Sequence, residues 1–290
     1  MSSDLTPEVA GAVLAWGEAA RRDLPWRRTR DPWAVLVSEL MLQQTQVSRV
    51  LAKYDDFLEA YPTPAACASS PLADVIRRWS GLGYNRRAAS LHASACMIMQ
   101  EFDGRLPASL PALRRLPGVG PYTARAVLAF AFETDEAVVD TNIARVLARV
   151  RGRSLTAKEV QAAADAVLQA GHAWAWNQSL MDLGATLCMA RRPRCTACPL
   201  APLCEWRGGP EIDPADGSAG VSGGQSRFEG SDRQGRGRLV RALRTAPVTP
   251  DDLSAVMGWP ADPERATRVA ATLVDDGLVD VVDCSYRLPG

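Results

Sequence analysis

Leu116-Pro117-Gly118-Val119-Gly120-Pro121-Tyr122-Thr123-Ala124 joins two stretches of helical periodicity through a tight reversal. Its two glycines let the backbone turn sharply with amides exposed, and Pro121 suits the first position of the next helix. Exposed amides at a helix N-terminus bind an anion, and for a hairpin of this kind the usual anion is a DNA phosphate. Gly118, Val119 and Gly120 are therefore the candidate phosphate-binding residues. A Pro-Gly-Val-Gly turn also suits two packed helices with no ligand, so its weight comes from the rest of the chain.

On both sides of that hairpin the pattern is helical. The spacing predicts helices over 7–21, 31–42 (Asp31 as N-cap, Pro32 first in the helix), 45–60, 71–79, 86–102, 110–115, 121–132, 141–150, 157–170 and 173–187. Alternating strand-like runs are nearly absent, so residues 1–207 read as one all-α globule. From 208 to 237 nine of thirty residues are Gly and no apolar stripe survives, which reads as a linker. Beyond it, helices are expected over 239–245, 250–257 and 262–275, then two short strands at 278–282 and 286–288. That order is the pattern of a winged helix-turn-helix, taken to span 238–290 and to be tethered rather than fused. A small packing or dimerisation module fits the same pattern.

The chain has 290 residues, room for about two domains. Lys+Arg and Asp+Glu are both 33, so no overall basic surplus advertises a partner. The balance hides an asymmetry, for residues 1–207 carry 24 basic and 20 acidic side chains and 208–290 carry 9 and 13. The longest apolar run, Ala126–Phe132, is far below the roughly 18 residues that cross a bilayer, so no membrane role is expected. Met1-Ser2-Ser3-Asp4 lacks the basic and apolar regions of a secretory leader. Seven cysteines in such a chain suggest metal or reactive thiols rather than disulfides.

Four of them, Cys188, Cys195, Cys198 and Cys204, form C-x6-C-x2-C-x5-C within seventeen residues that also hold Pro193, Pro199 and Pro202. So much sulfur with so little apolar material points to metal, either zinc or an iron–sulfur cluster. The irregular spacing and the long preceding helix favour a [4Fe–4S] cluster over paired zinc knuckles. Arg191, Arg192 and Arg194, between the first two ligands, are candidate phosphate contacts. Cys67, Cys96 and Cys284 read as ordinary packing residues, and His92 and His172 fit no ligand pattern.

The hairpin, Asp140 about twenty residues after it, and the cysteine loop together resemble the endonuclease III superfamily of DNA glycosylases. Leu24-Pro-Trp-Arg27, Ser38-Glu-Leu-Met-Leu-Gln-Gln-Thr-Gln-Val47, Gly81-Leu-Gly-Tyr84 and Met181-Asp-Leu-Gly-Ala185 resemble its adenine DNA glycosylase (MutY) branch. The likeness covers roughly residues 8–207. It implies a helix-hairpin-helix fold made of a six-helix barrel domain and an iron–sulfur helical domain, with the active site in the cleft between them. It also implies removal of adenine mispaired with 8-oxoguanine or guanine in double-stranded DNA, leaving an abasic site. A cytoplasmic, nucleoid-associated monomer is expected.

Residue by residue, the resemblance makes Glu39 the general acid. In sequence it stands between Val35-Leu36-Val37 and Leu40-Met41-Leu42, where burial would favour its protonated form, although a carboxylate on a solvent face is the blander reading. Asp140 doubles as an N-cap and, ionised, as the charge that stabilises an oxocarbenium-like transition state, with Asn142 orienting the pair. Tyr122 stands where bifunctional relatives carry a Schiff-base lysine, and the only lysines, Lys53 and Lys158, lie outside the hairpin. That implies hydrolysis by water. Arg22, Trp26, Arg27 and Gln178 would line the adenine pocket, while Gln44 and the Leu82–Tyr84 turn would wedge into the duplex.

The resemblance ends early. Typical members close with a larger β-rich domain that reads the oxidised base, and residues 239–290 are too few for it. Two other readings compete with adenine removal: a thymine or uracil mismatch glycosylase of the same superfamily, and a non-catalytic iron–sulfur DNA-binding protein.

Overall fold

A computed structural model describes residues 6–221 and 227–290. Fifteen helices and one two-stranded hairpin make up its regular structure among the described residues, so the chain is all-α apart from that hairpin. In order the helices are α1 (Pro7–Ala20), α2 (Pro32–Leu42), α3 (Val47–Leu51), α4 (Tyr54–Ala60), α5 (Pro64–Ala68), α6 (Leu72–Arg78), α7 (Arg86–Glu101), α8 (Leu110–Leu113), α9 (Pro121–Ala131), α10 (Thr141–Val150), α11 (Ala157–Val167), α12 (Ala173–Thr186), α13 (Asp232–Leu243), α14 (Pro250–Met257) and α15 (Pro263–Asp275). Strands β1 (Asp280–Val282) and β2 (Ser285–Arg287) pair antiparallel. The helix expected over 45–60 is two, broken at Ala52 and Lys53, and α5 has no counterpart in the sequence reading.

Two compact units form, one drawn from Met1–Pro32, Ala108–Leu110 and Gly120–Gly224, the other from Trp33–Pro107, Pro111–Val119 and Gln225–Gly290. In the first, α12 is the central helix and packs against α1, α9 and α10. Small residues set its approach distances. A Cβ on Gly17 would come within 1.8 Å of Ser179 Oγ, and one on Gly184 within 2.6 Å of the Asn142 Cβ, so α1 and α10 lie close against it. Thr156 and Glu159 close α11 with a reciprocal capping box, a feature stabilising by about 1 kcal/mol.

The second unit is built round α2, which is buried from Trp33 to Met41. Trp33 Nε1 donates to the Tyr61 carbonyl (2.9 Å) and Tyr54 donates through its hydroxyl to the Ala34 carbonyl (3.2 Å), which anchors α4 to the start of α2. Phe57, Tyr61 and Trp79 meet edge to face around this point. Such burial on every side explains why α2 shows no amphipathic stripe in sequence.

Among its described residues, the stretch read as a linker is tied to neighbouring elements. Leu155 N donates to Ser218 Oγ (3.0 Å), Ala219 N donates to the Leu155 carbonyl (2.9 Å), and Asp213 pairs with Arg149. At its other end Asp232 already begins α13, capped by Ser231. Gly-rich composition signals flexibility, but Asp213 and Ser218 in this stretch find fixed partners. The final three helices and hairpin form with a core of Leu239, Val240, Leu243, Leu253, Met257, Val269 and Leu273, while Val274 is exposed. This segment was expected to hang from a tether, yet it shares a unit with residues 33–107. Arg233 Nη1 donates to the Tyr84 hydroxyl (2.9 Å), Arg244 to Ser80 Oγ, and Arg86 pairs with Asp276 (3.5 Å).

Candidate active site

Glu39 is the only charged residue of α2 and is 5% exposed, among Val35, Leu36, Leu40 and Met41, each fully enclosed. The solvent-face reading of this carboxylate is thereby excluded. A carboxyl is a group that can donate a proton to a base bound beside it.

Asp140 caps α10 as the sequence indicated: its Oδ1 accepts from Ile143 N (2.7 Å) and its Oδ2 from Asn142 Nδ2 (2.8 Å). Burial pushes its carboxyl above the usual carboxylate range, opposed by those hydrogen bonds and by the positive charge of Arg145. Arg145 continues the chain of contacts. Its Nη2 donates to Asn142 Oδ1 (2.8 Å) and to the Gly184 carbonyl (2.6 Å), and its Nε to the Cys188 carbonyl (2.8 Å). One helix turn thus ties the Asp140 carboxylate to the first residue of the cysteine loop. Arg145 carries no motif of its own, and its i, i+3 spacing from Asn142 is the only signal the sequence offers.

Arg22 and Arg27 are gathered by Asp182 of the Met181–Ala185 motif, a residue given no role from the sequence. Asp182 of α12 accepts from Arg27 Nη1 (2.7 Å), Arg27 Nη2 (3.0 Å), Arg22 Nε (2.6 Å) and Arg22 N (3.1 Å). Against burial, which would raise it, the Arg27 and Arg22 groups hold the Asp182 carboxyl below its usual range. Trp26 is buried in the short turn Pro25–Arg27, and Gln178 is buried one helix turn before Asp182. The fork of Arg27 is committed to Asp182, so it fixes the turn that carries Trp26.

In the other unit, Arg87 organises two loops at once. Its Nη1 lies 2.8, 2.7 and 2.6 Å from the carbonyls of Leu40, Met41 and Gln43, and its Nη2 lies 3.1 and 2.8 Å from those of Leu82 and Gly83. Burial lowers its pKa to about 10, which still leaves it charged at neutral pH. The loop after α2, with exposed Gln44 at φ 53°, is thereby held beside the Gly81–Tyr84 turn. Leu82 corrects an expectation: it is 2% exposed and packs inward, so the turn presents Gly83 and Tyr84 to solvent. In the hairpin, Gly118 has φ +78° and a Cβ there would meet Ser90 at 2.7 Å, so both conformation and space demand glycine. Gly118 and Gly120 are exposed, whereas the Val119 side chain is buried. Tyr122 stands half-buried in the first turn of α9.

The four cysteines of the loop line one pocket, together with Val146, Leu183, Leu200 and Trp206. Arg149 of α10, only 1% exposed, donates to Cys188 Sγ (3.3 Å) and to the Met189 carbonyl (2.8 Å), and Arg207 N donates to Cys204 Sγ (3.4 Å). N–H groups aimed at sulfur favour thiolate, the ligating form. Burial otherwise pushes the thiols of Cys188, Cys195 and Cys198 up, Cys198 to about 11. Among the described residues no three His, Cys, Asp or Glu side chains converge on a single-ion site. Four thiols lining one pocket are a donor set that fits either zinc or an iron–sulfur cluster. Arg191, Arg192 and Arg194 are exposed on this loop. No helix among the described residues is long and apolar enough to cross a membrane.

Residues 37–170 match the HhH-GPD superfamily base excision DNA repair proteins. The chain is 42% identical over 291 residues to an adenine DNA glycosylase of Mycolicibacterium smegmatis, covering 96% of this chain and 95% of that one. It is 45% identical over 288 residues to the adenine DNA glycosylase of Mycobacterium tuberculosis, covering 96% and 92%. Among solved structures, a thermostable thymine-DNA glycosylase superposes with a TM-score of 0.66 at 32% identity, covering 69% of this chain and 94% of that chain.

Proposed function

The chain belongs to the HhH-GPD superfamily and, within it, to the adenine DNA glycosylases, and from that membership we propose how it works and on which DNA. It is a DNA glycosylase that removes adenine in base excision repair. Its proposed substrate is double-stranded DNA in which adenine is mispaired with 8-oxoguanine or guanine. Adenine relatives matched over nearly the whole chain favour this over thymine or uracil removal, which rests on a more distant likeness over 69% of the chain. The enzyme acts as a monomer on DNA in the bacterial cytoplasm.

The extruded adenine is protonated on a ring nitrogen by the Glu39 carboxyl, so that the base departs neutral when the C1′–N9 bond breaks and its electron pair goes to the base. Positive charge then develops on the sugar, and the Asp140 carboxylate, oriented by Asn142, stabilises it. Water adds to C1′ and gives its proton to the Glu39 carboxylate, restoring the acid. Tyr122 offers no amine, so no Schiff base forms and the strand stays whole. Arg22, Trp26 and Gln178 enclose the base, with Arg27 and Asp182 fixing that enclosure. Gln44 and Tyr84 fill the space it leaves, and the Gly118–Gly120 amides bind the backbone.

Cys188, Cys195, Cys198 and Cys204 hold a [4Fe–4S] cluster in this reading. When bound, the group supplies a covalent tie across the loop, so that Arg191, Arg192 and Arg194 are presented to phosphates from a rigid support.

The observation that carries the proposal is the buried Glu39 in an otherwise apolar helix. In Glu39→Gln the shape is kept and the proton is lost. Single-turnover adenine release should fall at least roughly 10²-fold while mismatch affinity holds. Equal rates for variant and parent would remove Glu39 from the role.

A further inference from the structure

The segment between α1 and α2, Arg21–Arg30, begins and ends on the same side chain. The Arg21 guanidinium lies over the Trp174 ring at 4.8 Å from its centre, and the Arg30 guanidinium at 4.3 Å. The backbone between these two arginines carries Arg22, Trp26 and Arg27. Five arginines in ten residues repel one another, so the segment keeps its shape only where their charge is met. Arg21 Nε is buried and has no hydrogen-bond partner among the described residues, which leaves the indole face to receive this cation. Arg30 is tied further, through Nη1 to the carbonyls of Arg27 (3.3 Å) and Thr29 (3.1 Å) and through Nε to Glu133 (2.6 Å). Its hold on the indole therefore reaches the turn that contains Trp26.

Trp174 belongs to a row. With Gln178 and Asp182 it recurs every four residues on α12, which places the three side chains one above another on a single face. Asp182 accepts from Arg22 and Arg27, the inner arginines of the segment, and Trp174 takes Arg21 and Arg30, the outer ones. Gln178 stands between the two in the row. One helix face thus fixes the segment at four arginines, and the proposed adenine pocket is assembled from residues along that row and that segment.

We propose that Trp174 is a positioning residue for adenine excision, closing the Arg21–Arg30 segment at both ends so that Arg22 and Trp26 stay with Gln178 around the extruded base. This deepens the reading of Arg22, Trp26 and Gln178 as the adenine pocket and rests on it. Trp174 touches no reacting atom; it acts through the segment, by limiting how far the pocket can open. A base misplaced by about an ångström loses rate steeply, while contacts to the DNA backbone elsewhere are untouched.

The test separates excision from binding on two duplexes, one with adenine opposite 8-oxoguanine and one with a tetrahydrofuran residue in place of that adenine. Trp174→Ala should lower the single-turnover rate at saturating protein roughly tenfold or more on the first, and leave affinity for the second within about twofold of the parent. Trp174→Phe retains a π-face and should recover most of the rate, whereas Trp174→Leu retains bulk without the face and should stay slow. An unchanged rate in Trp174→Ala, a leucine variant as fast as the phenylalanine one, or equal losses of rate and of abasic-duplex affinity would each overturn the role. If Trp174→Ala does not fold, the comparison of the phenylalanine and leucine variants decides the same point. Should Gln178→Ala excise adenine as fast as the parent, the pocket reading falls instead, an outcome separate from the Trp174 variants.

Discussion

Asp140 is asked to do two things that pull against each other. As a cap it accepts two hydrogen bonds, which favour the anion, while its enclosure favours the acid, and burial prevails in setting the direction of its shift. A carboxyl whose folded pKa is raised binds its proton more tightly in the folded state. Its contribution to stability is therefore best at low pH and is lost as pH rises from the ordinary 3.8 through the folded value. Catalysis needs the anion, so the rate should show the opposite trend, falling as pH drops through that raised value. A single-turnover pH profile should place this acid limb above pH 3.8, and Asp140→Asn should lose the limb along with roughly 10²-fold or more in rate. A purely structural cap would cost about 1 kcal/mol of stability and leave rate and profile unchanged.

At the scale of the element, α10 is the part that turns separate motifs into one assembly. Asp140 caps it, Asn142 and Arg145 lead along it, and Arg149 ends beneath the Cys188 sulfur with Asp213 paired to its other side. Replacing Arg149 by Met keeps bulk and removes every donor. Purified parent protein should carry iron and acid-labile sulfide, and Arg149→Met should lose that iron to a chelator roughly 10–100-fold more readily. Stoichiometric zinc without sulfide in the parent would overturn the cluster assignment. Motifs that work through short spacing, such as the hairpin, the Asp140 cap and the cysteine quartet, were readable in sequence because their partners lie within a few residues. The roles of Arg87 and Asp182 were not, since Arg87 binds backbone carbonyls, which carry no sequence signature, and Asp182 binds arginines 155 and 160 positions away. Leu82 misled for a related reason. A turn motif specifies backbone shape, while the side its leucine faces is decided by burial in the tertiary fold.

Over the whole molecule, equal numbers of acidic and basic groups conceal a division of labour. The arginines of α13 mostly fasten the last fifty residues to themselves and to the Gly81–Tyr84 turn. That segment lay beyond the family template, so composition alone described it, and composition reports neither ion-pair partners nor docking. The matches to the mycobacterial adenine DNA glycosylases take in 96% of this chain, which carries them into this segment, so it accompanies the glycosylase in those proteins too. The central claim is that this assembly removes adenine hydrolytically, without cutting the strand. The most direct measurement is single-turnover incubation of the full chain with end-labelled duplexes bearing A, T or U opposite 8-oxoguanine or guanine, each divided into portions with and without alkali. The account predicts a break at the adenine position alone and only after alkali. Breaks at T or U in place of A, or breaks at adenine that appear without alkali as fast as the base is lost, would contradict it.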